Sequence, residues 1–143
     1  MLIGEYIHAI DDKNRLSFPV KFRKEMGKTV VVAPGLEKSL FVFTLQGWKK
    51  IIDKLGEGSL QKDTRAFSRH LIGRAVEASI DANGRILIPE TLKQSIGIKD
   101  KVAIVGVHSR VELWEEVAWQ QYKQGIETHA DELADNLGAI GVL

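Results

Sequence analysis

The sequence predicts an α+β fold assembled from two copies of one module around a shared core, and three observations support it. First, residues 10–19 read Ile-Asp-Asp-Lys-Asn-Arg-Leu-Ser-Phe-Pro, and residues 80–89, 70 positions further on, read Ile-Asp-Ala-Asn-Gly-Arg-Ile-Leu-Ile-Pro. Each copy sets an Asp before a short loop, an Arg four residues later, three mostly apolar residues and a Pro: Asp11, Arg15 and Pro19, then Asp81, Arg85 and Pro89. Second, the match runs on. Phe22 and Met26 fall on Leu92 and Ile96, and Gly27 falls on Gly97. With a gap of one or two residues, Val30-Val31-Val32 meets Val102-Ala103-Ile104, Leu40-Phe41-Val42-Phe43 meets Val111-Glu112-Leu113-Trp114, and Trp48 meets Trp119. Repetition at a fixed spacing is the mark of a duplicated supersecondary unit. Third, a copy of roughly 50 residues exposes too much surface to bury a core alone. A chain of 143 residues, 44% hydrophobic and 27% charged, is ample for one soluble globular unit.

Each element follows from local chemistry. Residues 4–10 alternate well enough for a strand, with Tyr6, His8 and Ile10 on one face. Residues 11–15 form a turn: Asp accepts hydrogen bonds from backbone N–H groups two residues on, and Asn14 tolerates the left-handed conformation that Gly84 adopts at no steric cost. Leu16-Ser17-Phe18 and Ile86-Leu87-Ile88 return as strands, so each copy is expected to begin with a β-hairpin. Pro19 and Pro89 suit the first position of a helix and Gly27 and Gly97 its C-terminal cap. The i, i+4 pairs Phe22/Met26 and Leu92/Ile96 give each short helix one inward face, and Lys21, Arg23 and Lys24 make the outward face of the first one basic. A second hairpin follows in each copy, over residues 30–43 and 102–114, and then a helix containing a Trp.

These patterns place module one at residues 1–55, a bridging helix at 60–72 after Gly56-Glu57-Gly58-Ser59, module two at 73–120, and an acidic helix and tail at 121–143. In the bridge, Phe67, Leu71 and Ala75 are expected to face inward. The acidic helix is expected to run from residue 115 to about 133 with an interruption near Gly125. The last seven residues, apolar but Gly-rich, are read as a flexible end in preference to a subunit contact.

The net charge of +1 conceals a split. Residues 111–143 hold seven acidic side chains against Lys123 alone, a net −6, so residues 1–110 carry +7. A basic working surface and an acidic region kept away from a polyanion would produce that distribution, as would two solvated faces. No apolar run approaches the 18 residues of a membrane span, and the N-terminus has neither the basic start nor the apolar stretch of a signal peptide. The absence of Cys excludes disulfides and thiolate chemistry, which suits a cytoplasmic protein.

The chemistry concentrates in the two Asp-x-x-x-Arg loops. The carboxylate of Asp11 or Asp81 can fix its loop and steer the guanidinium of Arg15 or Arg85, a planar five-donor fork able to grip a phosphate or a guanine edge. The plainer alternative is that each pair only staples its hairpin. Two copies in the basic part of the chain favour the binding role.

Duplicated at this spacing, each followed by an apolar triplet and Pro in a cysteine-free chain of this length, the motif resembles the MraZ family of bacterial transcriptional regulators, related to AbrB and MazE DNA-binding modules. The resemblance extends to Gly4-Glu5-Tyr6 and Thr64-Arg65-Ala66-Phe67. It implies an internally duplicated, swapped-hairpin AbrB-like β-barrel with peripheral helices, forming one pseudo-symmetric domain. It also implies a ring-shaped homo-oligomer and a repressor that binds short G-containing direct repeats in double-stranded DNA upstream of a division and cell-wall gene cluster, hence a nucleoid-associated protein. The matched positions are Asp11, Lys13 and Arg15, then Asp81, Asn83 and Arg85; Asn14 stands where the family pattern has the Gly found at Gly84. Lys13, Asn14, Arg15, Lys21, Arg23, Lys24 and Arg85 are the candidate DNA contacts, and Asp11, Asp81 and Gly84 the residues that shape the loops. Arg85 has a second possible place, facing a ring interior or a subunit interface.

Two other classes compete. The symmetry-related Asp11 and Asp81 could suggest an aspartic-protease pair, but neither is followed by a small hydroxyl residue and Gly, and each has an Arg four residues away that keeps it ionised. His8, His70, His108 and His129 are too far apart to signal a metal site, so no metal, cofactor or small-molecule substrate is expected. An antitoxin-like interaction module is the remaining alternative, with residues 127–143 as a partner-binding tail. Trp48, Trp114 and Trp119 are read as core or subunit anchors.

Overall fold

A computed structural model describes every residue except Ser59, in the segment before the bridging helix, and Leu143 at the tail; both lie outside the described residues. Strands β1 (Ile3–Ala9) and β2 (Arg15–Ser17), helix α1 (Val20–Met26), strands β3 (Thr29–Pro34) and β4 (Leu40–Thr44), and helices α2 (Leu45–Glu57) and α3 (Lys62–Leu71) make up the first half. The second half repeats the order with β5 (Val76–Ser79), β6 (Arg85–Leu87), α4 (Glu90–Ser95), β7 (Lys101–Val107), β8 (Val111–Glu115), α5 (Glu116–Thr128) and α6 (Ala130–Gly138). The fold is α+β and its strand pairing is antiparallel: one six-stranded sheet in the order β1-β7-β8-β4-β3-β5, and a separate two-stranded ribbon of β2 and β6.

The hairpins β3–β4 and β7–β8 form as expected. The first hairpin of each copy does not. β1 pairs along its whole length with β7, and β5 pairs with β3, so the opening strand of each half joins the sheet of the other. β2 lies against β6, and of the expected hairpin of residues 4–18 the described residues keep the isolated bridge Ile10↔Leu16 and the turn bond from Asp11 N–H to the Arg15 carbonyl. The reason is the supply of partners: β2 is three residues long, whereas β7 offers a partner to all seven residues of β1. Backbone N–H and C=O groups seek the more complete ladder.

The exchange builds the core. Leu16, Phe18 and Phe22 from one half meet Ile86, Ile88 and Leu92 from the other in one cluster with Val30, Val32, Val102 and Ile104 from the inner face of the sheet. The sheet's outer face carries helices. α2 and α3 cover Ala33, Phe41 and Phe43, with Trp48, Ile51, Phe67 and Ala75 packed around Leu71, as the bridge pattern predicts. α5 covers Ala103, Val105 and Trp114 with Trp119. Trp48, Trp114 and Trp119 are thus core anchors. Glu5 on β1 fastens α5 by accepting from Trp119 Nε1 and Lys123 Nζ, both at 2.9 Å.

Punctuation is close to the expected pattern, with two shifts. Pro19 and Pro89 sit one residue before the helix, with ψ of 137° and 140°, because their extended ψ turns the chain into the helix. The Pro19 carbonyl already accepts from Phe22 and Arg23 N–H at 2.9 and 3.1 Å. Gly97, at φ +70°, closes α4 in a Schellman arrangement: Ile98 N–H bonds Lys93 O and Gly97 N–H bonds Gln94 O. The acidic helix breaks at His129 (φ −113°, ψ 14°), not at Gly125, which stays helical; the His129 N–H closes α5 on the Gly125 and Ile126 carbonyls. The second piece, α6, carries helix on to Gly138.

Leu16 and Ile86 face each other at the centre of the ribbon, both fully buried. Replacing either by Ala is expected to cost about 2–5 kcal/mol, measured as a lower urea midpoint, since neither site can collapse without breaking the contact between halves.

Candidate functional site

The two polar loops repeat each other bond for bond. In the first, Asp11 Oδ1 accepts from the backbone N–H of Lys13 at 2.9 Å and of Arg15 at 2.8 Å, and Oδ2 accepts from Arg15 Nε at 2.7 Å. In the second, Asp81 Oδ1 accepts from Asn83 and Arg85 N–H, and Oδ2 from Arg85 Nε, all at 2.9 Å. Asn14 (φ +61°) and Gly84 (φ +76°) supply the left-handed residue that the turn needs. The Arg15 backbone N–H, helped by its side chain and by the Lys13 N–H, holds the Asp11 carboxyl below its ordinary range against a partial desolvation cost. The Arg85 and Asn83 donors act on Asp81 in the same way.

The geometry therefore uses one edge of each guanidinium and spares the rest. Nε is committed to the carboxylate, while the terminal Nη atoms of Arg15 and Arg85 have no hydrogen-bond partner among the described residues. Side-chain exposure of 35% and 28% leaves them accessible to a ligand. The ribbon register sets them on one surface: Arg15 pairs with Leu87 and Ser17 with Arg85, while Leu16 and Ile86 between them point into the core. Arg15 and Arg85 are thus diagonal neighbours on the outward face, with Cα atoms on the order of 7–8 Å apart. The Arg-rich face is built from both halves, and neither half could present it alone.

Each loop is also clasped by the opposite half. The Asn14 carbonyl accepts from Ile88 N–H at 2.8 Å, and the Gly84 carbonyl accepts from Phe18 N–H at 2.9 Å. Glu90 Oε2 accepts from Asn14 Nδ2 at 2.5 Å, and Lys93 Nζ donates to Asn14 Oδ1 at 3.0 Å. The Asn14 side chain, foremost, and then Gln94 and Lys93 lower the Glu90 pKa. At the matching position of the first half, 70 residues earlier, Arg23 takes the place of Lys93. Its Nε donates to the Phe18 carbonyl at 2.7 Å, and its guanidinium lies over Gly84, where a Cβ would come within 2.1 Å of Cζ. This contact explains why one loop has Asn and the other Gly: Lys93 needs an acceptor to reach, and Arg23 needs bare backbone to lie on.

Of the sequence candidates, Arg15 and Arg85 come together on the ribbon, and Lys13, Lys21 and Lys24 are exposed. Asn14 is already bonded to Glu90 and Lys93 of the opposite half, Arg23 to the Phe18 carbonyl of its own, and Asp11 and Asp81 to their Arg partners, while Gly84 lies under the Arg23 guanidinium. Ser17 and Leu87, which complete the outward face, and Glu90 and Lys93, which brace it, were missed. Each of the first two lies two residues from an Arg on its own strand and directly opposite the other half's Arg, a signal visible only once β2 is known to pair with β6. His8 and His70 bond the Ser17 and Gly35 carbonyls. Among the described residues no group of three His, Cys, Asp or Glu could hold a metal, and no helix is long and apolar enough to cross a membrane.

The chain is thus an α+β protein in which the order of elements repeats, with two guanidiniums held open on one exposed ribbon. The sequence model of the family described as "MraZ protein, putative antitoxin-like" matches the chain twice, over residues 1–70 and 71–137. A relative from Caldanaerobacter subterraneus subsp. tengcongensis is 42% identical over 138 residues, 96% of each chain. Another from Thermoanaerobacter sp. (strain X514) is 41% identical over 143 residues, covering 99% of this chain and all of the relative, and one from Alkaliphilus metalliredigens is 38% identical over the same span. All three are named transcriptional regulator MraZ. The chain belongs to the MraZ family.

Because both loop carboxylates titrate below their unfolded-state values, they stabilise the fold above the ordinary carboxylate range, and that contribution is lost as pH falls through the depressed values. The variant Asp11→Asn with Asp81→Asn should accordingly have a lower Tm at neutral pH and a flatter acid limb, with the two curves converging at low pH in thermal unfolding. Gly84→Ala should displace Arg23 and strain a left-handed position, costing about 1–2 kcal/mol, whereas Asn14→Gly should cost less than that in the same assay.

Proposed function

We propose that this chain is a sequence-specific double-stranded DNA-binding transcriptional regulator, acting as a repressor, with Arg15 and Arg85 as its central contacts. The observation that carries the proposal is the pair of Nη groups held outward on the β2–β6 ribbon by Asp11 and Asp81. A two-stranded ribbon is narrow enough to enter the major groove, and an Arg fork matches the two acceptors of a guanine edge. The diagonal spacing of the two Arg residues corresponds to about two base steps, in keeping with short G-containing direct repeats as the target. Lys13, Lys21 and Lys24 lie exposed in the half of the chain that carries the positive charge and serve as phosphate contacts, with Asn14 and Arg23 setting the loops from behind.

On this reading the exchanged strands are those of an AbrB-like swapped-hairpin barrel, duplicated within one pseudo-symmetric domain of two modules (1–55 and 73–120), a bridging helix (60–72) and an acidic end (121–143). A net +7 over residues 1–110 neutralises few phosphates, so one subunit binds weakly. A ring-shaped homo-oligomer on tandem repeats gains its affinity through effective concentrations on the order of millimolar. The regulator works in the cytoplasm on the nucleoid, at DNA upstream of a division and cell-wall gene cluster, without cofactor, small-molecule substrate or enzymatic step. The exposed acidic α6 supports a second reading, an antitoxin-like module that holds a basic protein partner.

Fluorescence anisotropy on DNA from the chain's own upstream region tests these readings. Arg15→Ala and Arg85→Ala should each weaken specific binding by about 1–3 kcal/mol, and Lys21→Ala should weaken specific and non-specific DNA alike while lowering the salt dependence. Binding unchanged in both Arg variants would refute the ribbon assignment. Absence of wild-type binding together with a small basic protein copurifying would establish the antitoxin-like alternative.

A further inference from the structure

The last helix of each half is seated differently. α3 follows α2 and lies on the outer face of the sheet, burying Leu71 and packing Phe67 against the cluster there. α6 follows α5 at the corresponding place in the second half, and none of its residues is buried. It joins α5 in leaving an apolar strip in solvent: Tyr122, Ile126, Leu133 and Leu137 are 40%, 37%, 46% and 43% exposed. Glu127, Asp131, Glu132 and Asp135 surround that strip, and Lys123 beside it is already held by Glu5.

The other half carries a surface of opposite character. Between α2, α3 and the sheet lies an open apolar pocket of about 270 Å³, floored by Phe41, Phe43, Ile51 and Phe67, with Lys54 and Arg110 among its lining residues. Arg110 stacks over the Phe41 ring at 4.3 Å and is paired with Glu112, but neither Lys54 nor the nearby Lys50 has an ion pair among the described residues. The volume accommodates one or two leucine-sized side chains, and the unpaired amines suit an acidic helix.

We infer that the α5–α6 end of one copy seats Leu133 and Leu137 in the α2–α3 pocket of a second copy, with Asp131, Glu132 and Asp135 meeting Lys50 and Lys54. The two surfaces lie on opposite halves of one chain and are complementary in both shape class and charge. The contact is therefore heterologous, head to tail, and a rotation that closes makes a ring. It also gives the acidic end a use that DNA binding does not. This inference rests on the homo-oligomer of the proposed function and specifies its interface.

Sedimentation velocity on the full chain tests it with two exposed-surface variants: a pocket variant, Lys50→Glu with Lys54→Glu, and a helix variant, Leu133→Asp with Leu137→Asp, each checked for native Trp fluorescence. Wild type is expected to sediment as a species larger than a dimer that weakens with salt, and each variant alone as a single chain. An equimolar mixture of the two variants retains one intact pocket and one intact helix end, so it should form a 1:1 dimer and nothing larger. Variants that assemble as wild type does, or a mixture that stays monomeric, would overturn the interface while leaving the oligomer standing. A monomeric wild type would overturn the oligomer itself and this interface with it.

Discussion

Two backbone hydrogen bonds that cross from one half of the chain to the other, Ile88 N–H to the Asn14 carbonyl and Phe18 N–H to the Gly84 carbonyl, are what the rest of the structure depends on. Each ties the strand that leaves one loop to the turn of the opposite loop. With the three residue pairs of β2 and β6 they make a ribbon too short to be stable alone, and burial of Leu16, Ile86, Phe18 and Ile88 beneath it supplies what the few hydrogen bonds do not. The common core beneath the ribbon and the outward Arg pair are consequences of that crossing.

At the site, electrostatics governs orientation more than stability. Asp11 with Arg15 and Asp81 with Arg85 are partly exposed pairs, and pairs in such surroundings contribute little net energy. Their value is geometric. A carboxylate that already holds two backbone N–H groups is fixed in place, and it fixes in turn the Nε edge of a guanidinium whose remaining donors face outward. For the binding role proposed for them, ordering these long side chains in advance would lower the entropic cost.

Duplication did not leave two equivalent halves. Arg23 over Gly84 and Lys93 on Asn14 solve the same packing problem with different chemistry, and either loop sequence transplanted to the other position would meet the wrong brace. The outer helices differ further. α2 starts at a Thr44 hydroxyl that accepts from Gly47 N–H, and α5 starts at a Glu115 carboxylate that accepts from Val117 and Ala118 N–H. α3 is folded down onto the sheet, whereas α6 stands off it. Part of the charge asymmetry has the same origin, since Asp131, Glu132 and Asp135 lie on α6, where the second half departs from the first.

What the sequence determined by itself was local. Asp-x-x-x-Arg turns, the left-handed Asn14 and Gly84, the Pro19 and Pro89 helix starts, the Gly27 and Gly97 stops and the hairpins β3–β4 and β7–β8 all follow from residues close to one another in the chain, and all were legible within a residue or so. The partners of β1, β2, β5 and β6 were not, because a short strand pairs wherever its apolar face is best buried, and for Leu16 that place is against Ile86, 70 residues away. Strand parity then placed Arg15 and Arg85 on one face, enlisted Ser17 and Leu87 beside them, and turned Arg23 from a free cation into a brace. Those outcomes belong to the tertiary structure alone, since they depend on which backbone lies opposite and not on any pattern within either copy.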